Sequence, residues 1–334
     1  MGEFELLEAI RRRLPAAGAR VALGSGDDAA ISVPGGATAT SVDALIDGVH
    51  FRRESSSLKQ IGHKALAVAL SDLAAMGAAP GEAYVVLGVP TDLNESGCME
   101  LLDGMAALAE ETGTIVAGGD VTRAPTLTLA MTVVGHAERA EDLVARSGAR
   151  PGDALVVTGE LGGAAAGLLF LEARTEAPSR FEPDSEPNLY GAQSLVARQL
   201  EPSPRLRAGR ALAERGATAM IDLSDGLGGD AAHIAKASGV GLRIDAARLP
   251  IQAGVGEVAA TVGRDPLELA ASGGEDYELL ATLPLGRLDA ATAALAAQGI
   301  GLTPIGEVLA GAEEVEIRLP GGGNLQPRGF DQLR

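Results

Sequence analysis

The chain predicts two α+β domains, and three observations carry the prediction. At 334 residues it is longer than one hydrophobic core usually supports. Strand-like and helix-like stretches follow one another without a strict strand–helix–strand rhythm, which disfavours a doubly wound parallel sheet. Glycine, at 45 residues, stands at about twice its average usage and supplies many tight turns between elements. Aromatic residues make up only 2 % and Trp is absent, so Ala, Val and Leu must fill the core.

Phe4, Leu7, Ile10 and Leu14 recur at helical spacing, and Pro15 and Gly18 close that first helix. Short β-rich pieces follow at Arg20–Leu23, Ala29–Val33 and Ala37–Val42. A long helix is predicted from Ser57 to Met76, buried through Ile61, Ala65, Leu66, Val68, Leu70 and Leu73 and stopped by Gly77 and Pro80. Ala83–Val89 and Leu127–Val134 read as strands, with a helix over Cys98–Glu111 between them. The run Arg146–Asp153 reads as a joint between domains.

Beyond it come a strand at Ala154–Thr158, the turn Gly159-Glu160-Leu161-Gly162-Gly163 and an Ala-rich helix. That turn lacks dinucleotide spacing, and close helix–strand packing is enough to explain its glycines. Glu172–Pro204 is polar and carries five prolines, and its first half reads as a surface excursion. Helices over Pro204–Arg215, Gly229–Ala237 and Leu288–Gln298 are predicted among strands at Ala219–Leu223, Gly241–Ile244, Leu279–Leu283 and Val315–Leu319.

The net charge of −18, with only Lys59, Lys64 and Lys236 as lysines, argues against nucleic acid or an anionic membrane as a main partner. There is no G-x-x-x-x-G-K-[ST] loop, so an anionic ligand must be held by metal ions, arginines and backbone amides. Cys98 is the single cysteine, which excludes an internal disulfide, and it reads as an inert helix-face residue. The four histidines lack zinc-type pairing. The charged first residues do not resemble a signal core, and no apolar run spans a bilayer; a cytoplasmic protein is expected.

Aspartates recur beside glycine just past apolar runs, in Gly26-Asp27-Asp28, Ser41-Val42-Asp43, Ser71-Asp72, Gly118-Gly119-Asp120, Asp222-Leu223-Ser224-Asp225-Gly226 and Gly273-Gly274-Glu275-Asp276. Any one of these is ordinary turn chemistry. Together they suggest oxygen ligands gathered for hard cations such as Mg2+. Glycosidase-type acid–base chemistry fits poorly, because aromatic sugar platforms are nearly absent.

The chain resembles the thiamine-monophosphate kinase family, within the superfamily that includes aminoimidazole ribonucleotide synthetase and selenophosphate synthetase. The carriers, in order, are Gly24–Ala30, Asp47-Gly48-Val49-His50-Phe51, Lys64–Ala78, Gly118-Gly119-Asp120, Arg146-Ser147-Gly148-Ala149, Ile221–Leu227 and Ser272–Glu278. The resemblance implies that Asp28, Ser41, Val42, Asp43, Asp72, Asp120, Asp222 and Asp225 bind several Mg2+ ions. It implies ATP contacts from Gly119, Asp120, Arg146 and Ser224, and thiamine monophosphate contacts from His50, Glu275 and Phe330.

Each position also has a structural alternative. His50 can cap a strand end, Glu275-Asp276 can open a helix, Asp222 and Ser224 can cap the helix at Leu227, and Phe330 can pin the tail. Two residues depart from the family pattern: Val42 stands where Thr is common, and Ala69 where Asn is frequent.

The implied fold is the two-domain α+β arrangement of the aminoimidazole ribonucleotide synthetase-like superfamily. Residues 1–138 would form an ATP- and Mg-binding domain that closes a β-barrel across a homodimer, and 150–334 a C-terminal domain completing the cleft. The implied reaction is ATP-dependent phosphorylation of thiamine monophosphate to thiamine diphosphate by direct in-line transfer, with Mg2+ offsetting the charge and no general base. The alternatives are another ATP-using member of the superfamily, or a non-catalytic MgATP-binding protein.

Overall fold

The structure, a computed structural model, describes residues 9–10, 12–13, 20–23, 30–176 and 189–329. The first predicted helix lies largely outside them. Packing divides the chain into one unit of Met1–Leu73 with Ala78–Leu143, and a second of Ala74–Gly77 with Val144–Arg334. Each unit combines helices with a sheet dominated by antiparallel pairs, so both are α+β.

The first unit opens with the short pair β1 (Val21–Leu23) and β2 (Ile31–Ser32). Its main sheet has four strands: β3 (Ala37–Ile46), β4 (Ala79–Val89), β5 (Ile115–Arg123) and β6 (Thr128–Ala137), in the order β3-β6-β4-β5. β6 is antiparallel to both its neighbours, whereas β4 and β5 are parallel. The parallel pair needs a crossover, and α2 (Glu95–Thr112) supplies it. Asn94 starts α2 by accepting the Gly97 N–H at 3.0 Å, and Gly113, at φ 72°, ends it.

α1 (Leu58–Ala75) is buried almost throughout, with Ile61, Leu66, Leu70 and Leu73 in the core. Ala69 is wholly buried too, so the departure noted there falls in helix packing. The two helices meet backbone to backbone. A Cβ at Gly62 would lie 1.8 Å from the Leu101 carbonyl oxygen, and one at Gly104 would lie 1.8 Å from that of Lys59. Cys98 is fully buried on α2, and burial raises its thiol pKa, in keeping with an inert residue.

The second unit holds a seven-stranded sheet of β7 (Ala154–Thr158), β8 (Ala219–Asp222), β9 (Gly241–Asp245), β10 (Leu279–Leu283), β11 (Leu302–Leu309), β12 (Val315–Arg318) and β13 (Asn324–Leu325). Their order is β13-β12-β9-β11-β7-β10-β8. β7, β8 and β10 are buried along their whole length, which explains their continuous apolar sequence. The helix α6 (Leu227–Ser238) joins their core through Leu227, Ala231 and Ile234.

The remaining helices are α3 (Gly163–Glu176), α4 (Leu189–Leu200), α5 (Leu206–Glu214), α7 (Val255–Val262), α8 (Pro266–Ser272) and α9 (Leu288–Ala296). A second apolar cluster joins α3, α4, α7 and α8 through Phe170, Leu195, Val258 and Leu269. Where the sequence reading placed polar excursion and proline, the chain runs helically to Glu176 and again over α4. Among the described residues no helix is long and apolar enough to cross a membrane.

Candidate active site

In the first unit, side chains alternate along β3 so that Ser41 and Asp43 share one face and Val42 takes the other. Asp72, near the end of α1, meets the first face, where Ser41 Oγ donates to Asp72 Oδ2. Burial pushes the Asp43 carboxyl up to about 6, and the neighbouring Asp72 charge adds to the shift. Val42 is 67 % exposed, so its side chain stands apart from this pair.

Asp120 lies on β5, opposite Val86 of β4, which pairs in turn with Ala130 of β6 and so with Ala44 of β3. Three strand spacings, roughly 14 Å, separate β3 from β5 along the sheet. Within one chain the sheet therefore does not bring Asp120 to Asp43. A Cβ at Gly119 would lie 1.9 Å from the Val85 carbonyl oxygen, so only glycine allows β5 so close to β4 there. His50 is half-buried, and its Nδ1 accepts the Ile46 N–H at 3.1 Å. That is the strand-end cap foreseen as its structural alternative.

In the second unit, Asp222 ends β8, and Ser224 and Asp225 occupy the loop before α6. Asp230, which the sequence reading did not single out, sits beneath that loop. Its Oδ2 accepts the N–H groups of Asp225 and Gly226, each at 3.1 Å. Burial, joined by the charges of Asp222 and Asp225, pushes Asp230 up to about 8. The only available hint was an acidic residue in the first turn of a helix.

The loop is stitched to the Gly273–Glu278 segment. Ser224 O accepts the Glu275 N–H at 2.8 Å, Leu223 O the Tyr277 N–H at 2.9 Å, and Leu223 N–H donates to Glu278 O at 2.8 Å. Gly274 permits this, since its Cβ would lie 2.6 Å from the Ser224 carbonyl oxygen. Glu275-Asp276 opens no helix. Asp276 instead accepts the N–H groups of Gly162 and Ala164 at the start of α3. Asp222 and Ser224 do not cap α6 either, because Gly226 holds the N-cap without a side-chain bond.

Arg146 is exposed, and its carbonyl accepts a bond from Ser238 Oγ, which also receives the N–H groups of Gly148 and Ala149. Asp28 and Phe330 lie outside the described residues. Among the described residues no three His, Cys, Asp or Glu side chains form a ready metal cage.

Residues 26–137 match the AIR synthase related protein N-terminal domain, and residues 150–318 match the C-terminal domain of the same description. Thiamine-monophosphate kinase of Escherichia coli O157:H7 is 39 % identical over 314 residues, covering 93 % of this chain and 92 % of that protein. The chain belongs to the thiamine-monophosphate kinase family.

Other relatives in this family agree. The Bacillus subtilis thiamine-monophosphate kinase is 36 % identical, over 92 % of this chain and 91 % of its own length. The crystal structure of thiamine-monophosphate kinase from Stenotrophomonas maltophilia K279a superposes with a TM-score of 0.81 at 35 % identity, covering 96 % of this chain and 98 % of that one. A structure of AaThiL complexed with AMPPCP and TMP gives 0.75 at 30 % identity, covering 98 % and 96 %. The two-domain α+β fold expected from the sequence is the fold of this family.

Proposed function

We propose that the protein transfers the γ-phosphoryl group of ATP to thiamine monophosphate, giving thiamine diphosphate and ADP. The observation that carries this reading is the nearly end-to-end likeness to thiamine-monophosphate kinases, one of them held with AMPPCP and TMP. The acceptor is itself a phosphate, mostly ionised at neutral pH because its second pKa is about 6. No general base is needed, and transfer is in-line within a ternary complex.

The chemical problem is repulsion between two polyanions on a protein of net charge −18. Mg2+ answers it. The residues present fit that ion: Asp72 crowds Asp43, and Asp222 and Asp225 crowd Asp230, and the Asp43 and Asp230 carboxyls are raised above their ordinary value. Mg2+ keeps several waters and takes phosphate oxygens, so one or two carboxylates suit it better than a closed cage would. Bound there, it would neutralise the charge of the phosphates.

The candidate ligands are Asp28, Ser41, Asp43, Asp72, Asp120, Asp222 and Asp225, with Val42 contributing through its carbonyl. Gly119, Asp120, Arg146 and Ser224 would hold ATP. His50, Glu275 and Phe330 would meet the thiamine moiety or its phosphate. Chromatography of a mixture of enzyme, ATP, Mg2+ and thiamine monophosphate tests the reaction through the appearance of thiamine diphosphate. Equal turnover of free thiamine would refute the argument that the acceptor must carry a phosphate.

We infer a homodimer on the same grounds. Among the described residues β3 and β5 are the edge strands of the four-stranded sheet, and one of its faces exposes Val42 and Val86. Joining these edges between two copies would close a barrel. Sedimentation showing a monomer at working concentration would overturn that arrangement.

A further inference from the structure

Glu275, at φ 67°, and Tyr277, at φ 49°, are the non-glycine residues with positive φ among the described ones. A side chain seldom adopts that conformation and stays there only where its surroundings over-determine it. Those surroundings come largely from one corner of the second unit, the end of α4 and the start of α5.

Glu278 is completely buried. It receives Arg205 in two bonds, at 2.7 and 2.5 Å, together with Thr158 Oγ1 at 2.7 Å, and it pairs with Arg198. Two residues earlier Asp276 is held by the first turn of α3, with 2.8 Å to the Gly162 N–H. Between these anchors and the loop at Ser224, Glu275 is gripped by its side chain as well. Gln199 Nε2 donates to Glu275 Oε2 at 2.6 Å.

Gln199 is an unusual choice for that position. It is only 5 % exposed, and its Oε1 is buried without a hydrogen-bond partner. A buried carbonyl left unpaired is unfavourable, and an apolar side chain of similar size would avoid it. Packing therefore does not account for Gln199, whereas its bond to a carboxylate does. An amide donor also orients the Glu275 carboxylate without neutralising it, as a third arginine would.

We propose that Gln199, backed by the Arg198 and Arg205 pairs to Glu278, is a positioning residue that sets the reach and angle of the Glu275 carboxylate toward the acceptor substrate. The proposal rests on reading Glu275 as a substrate contact. Gln199 itself touches no reacting group and acts through Glu275 alone.

The test compares wild-type full-length enzyme with Gln199→Leu, and with Gln199→Met should the first variant fold poorly. Backbone amide exchange without substrate is read first. Exchange over 273–279 should quicken by about tenfold, the worth of one hydrogen bond to a charged group, while the rest of the unit keeps its protection. Unchanged exchange in that segment would overturn the proposal.

Kinetics are read second. The KM for thiamine monophosphate should rise about tenfold, while that for ATP moves less than about twofold. In a Glu275→Ala background the same substitution should leave the acceptor KM within about twofold, because the group it positions is gone. An equal penalty in both backgrounds, or an equal rise for ATP, would mark a general structural effect and defeat the idea. If the wild-type enzyme does not turn over thiamine monophosphate, the proposed function fails, and the exchange comparison alone then decides whether Gln199 braces the segment.

Discussion

Two kinds of carboxylate site occur in this molecule. Glu278 is buried and compensated from within, by Arg198 and Arg205. Burial alone would raise its pKa, but the hydrogen bond from Arg205 and the charges of both arginines outweigh burial and hold it below its usual value near 4.5. Asp43 and Asp230 are raised instead, by burial first and by other aspartates second. The first kind is architecture, its carboxylate charge already met by arginines before anything binds. The second gathers like charge in one place, as the proposed Mg2+ sites require.

The largest effect expected from this contrast is the response to chelation. Excess EDTA should abolish thiamine diphosphate formation and Mg2+ should restore it, while thermal melting moves far less than activity does. Full turnover in metal-free buffer would erase the contrast. Asp72→Asn comes next. The amide keeps the shape and removes the charge that Asp43 faces, so kcat at limiting Mg2+ should fall by about 10²–10³-fold with the fold intact. Near-normal activity at low Mg2+ would refute the role of Asp72.

On the architectural side, Glu278→Ala leaves two arginines buried without their partner and should destabilise the protein by about 3–5 kcal/mol in a denaturant titration. The sign with pH is opposite to that of a raised carboxyl. Because the folded-state value of Glu278 is depressed, its stabilisation is fully present above about 4.5 and is lost as the pH falls through the lower folded value. The gap in melting temperature between wild type and Glu278→Gln should therefore be widest at neutral pH and close in acid. A gap that widens below pH 4 would show the charge accounting to be wrong.

The smallest effect is expected at Val42→Thr, since that side chain is solvent-facing and turned away from Asp43. Stability should stay within about 0.5 kcal/mol, and the Mg2+ concentration for half-maximal rate should shift less than about threefold. A larger shift would bring the Val42 side chain into the metal site.

Regular, fully buried elements were legible in the sequence. The predicted bounds of β10 are the observed ones, and those of α1 differ by one residue at each end, because apolar residues recur regularly in both. Neither the helices α4, α7 and α8 nor the strands β5, β11 and β13 are predicted from the sequence. β5 is an edge strand rich in Gly118, Gly119, Asp120 and Arg123, and its fit depends on approach to β4 rather than on strand propensity. β11 carries Pro304 beside a register shift at Gly306. In α4 the buried Ala192, Leu195 and Gln199 do follow helical spacing, but they sit within proline-rich polar sequence. α8 had its signal in plain view, with Asp265 capping and Pro266 at the first helical position.

The candidate site divides the same way. Aspartates next to glycine were visible because the motif is local. Asp230, Gln199, Arg198 and Arg205 were not, since their partners are fixed by tertiary folding. Gln199 and Glu275 lie 76 residues apart.

The glycine-to-carbonyl contact of α1 with α2 has a consequence for how this protein can change. Helix spacing is usually a compromise among side chains and drifts when they are exchanged. Here Gly62 and Gly104 bring main chain against main chain, so the separation is set by atoms that every amino acid shares. Ten residues along α1 from Gly62, about 15 Å by helical rise, stands Asp72. Substitutions among Leu66, Leu70 and Leu101 can thus accumulate, or be introduced by an engineer, with little displacement of that carboxylate. The reverse holds at the two glycines. Alanine, elsewhere the better helix former, would here wedge the helices apart and move the end of α1 that carries Asp72.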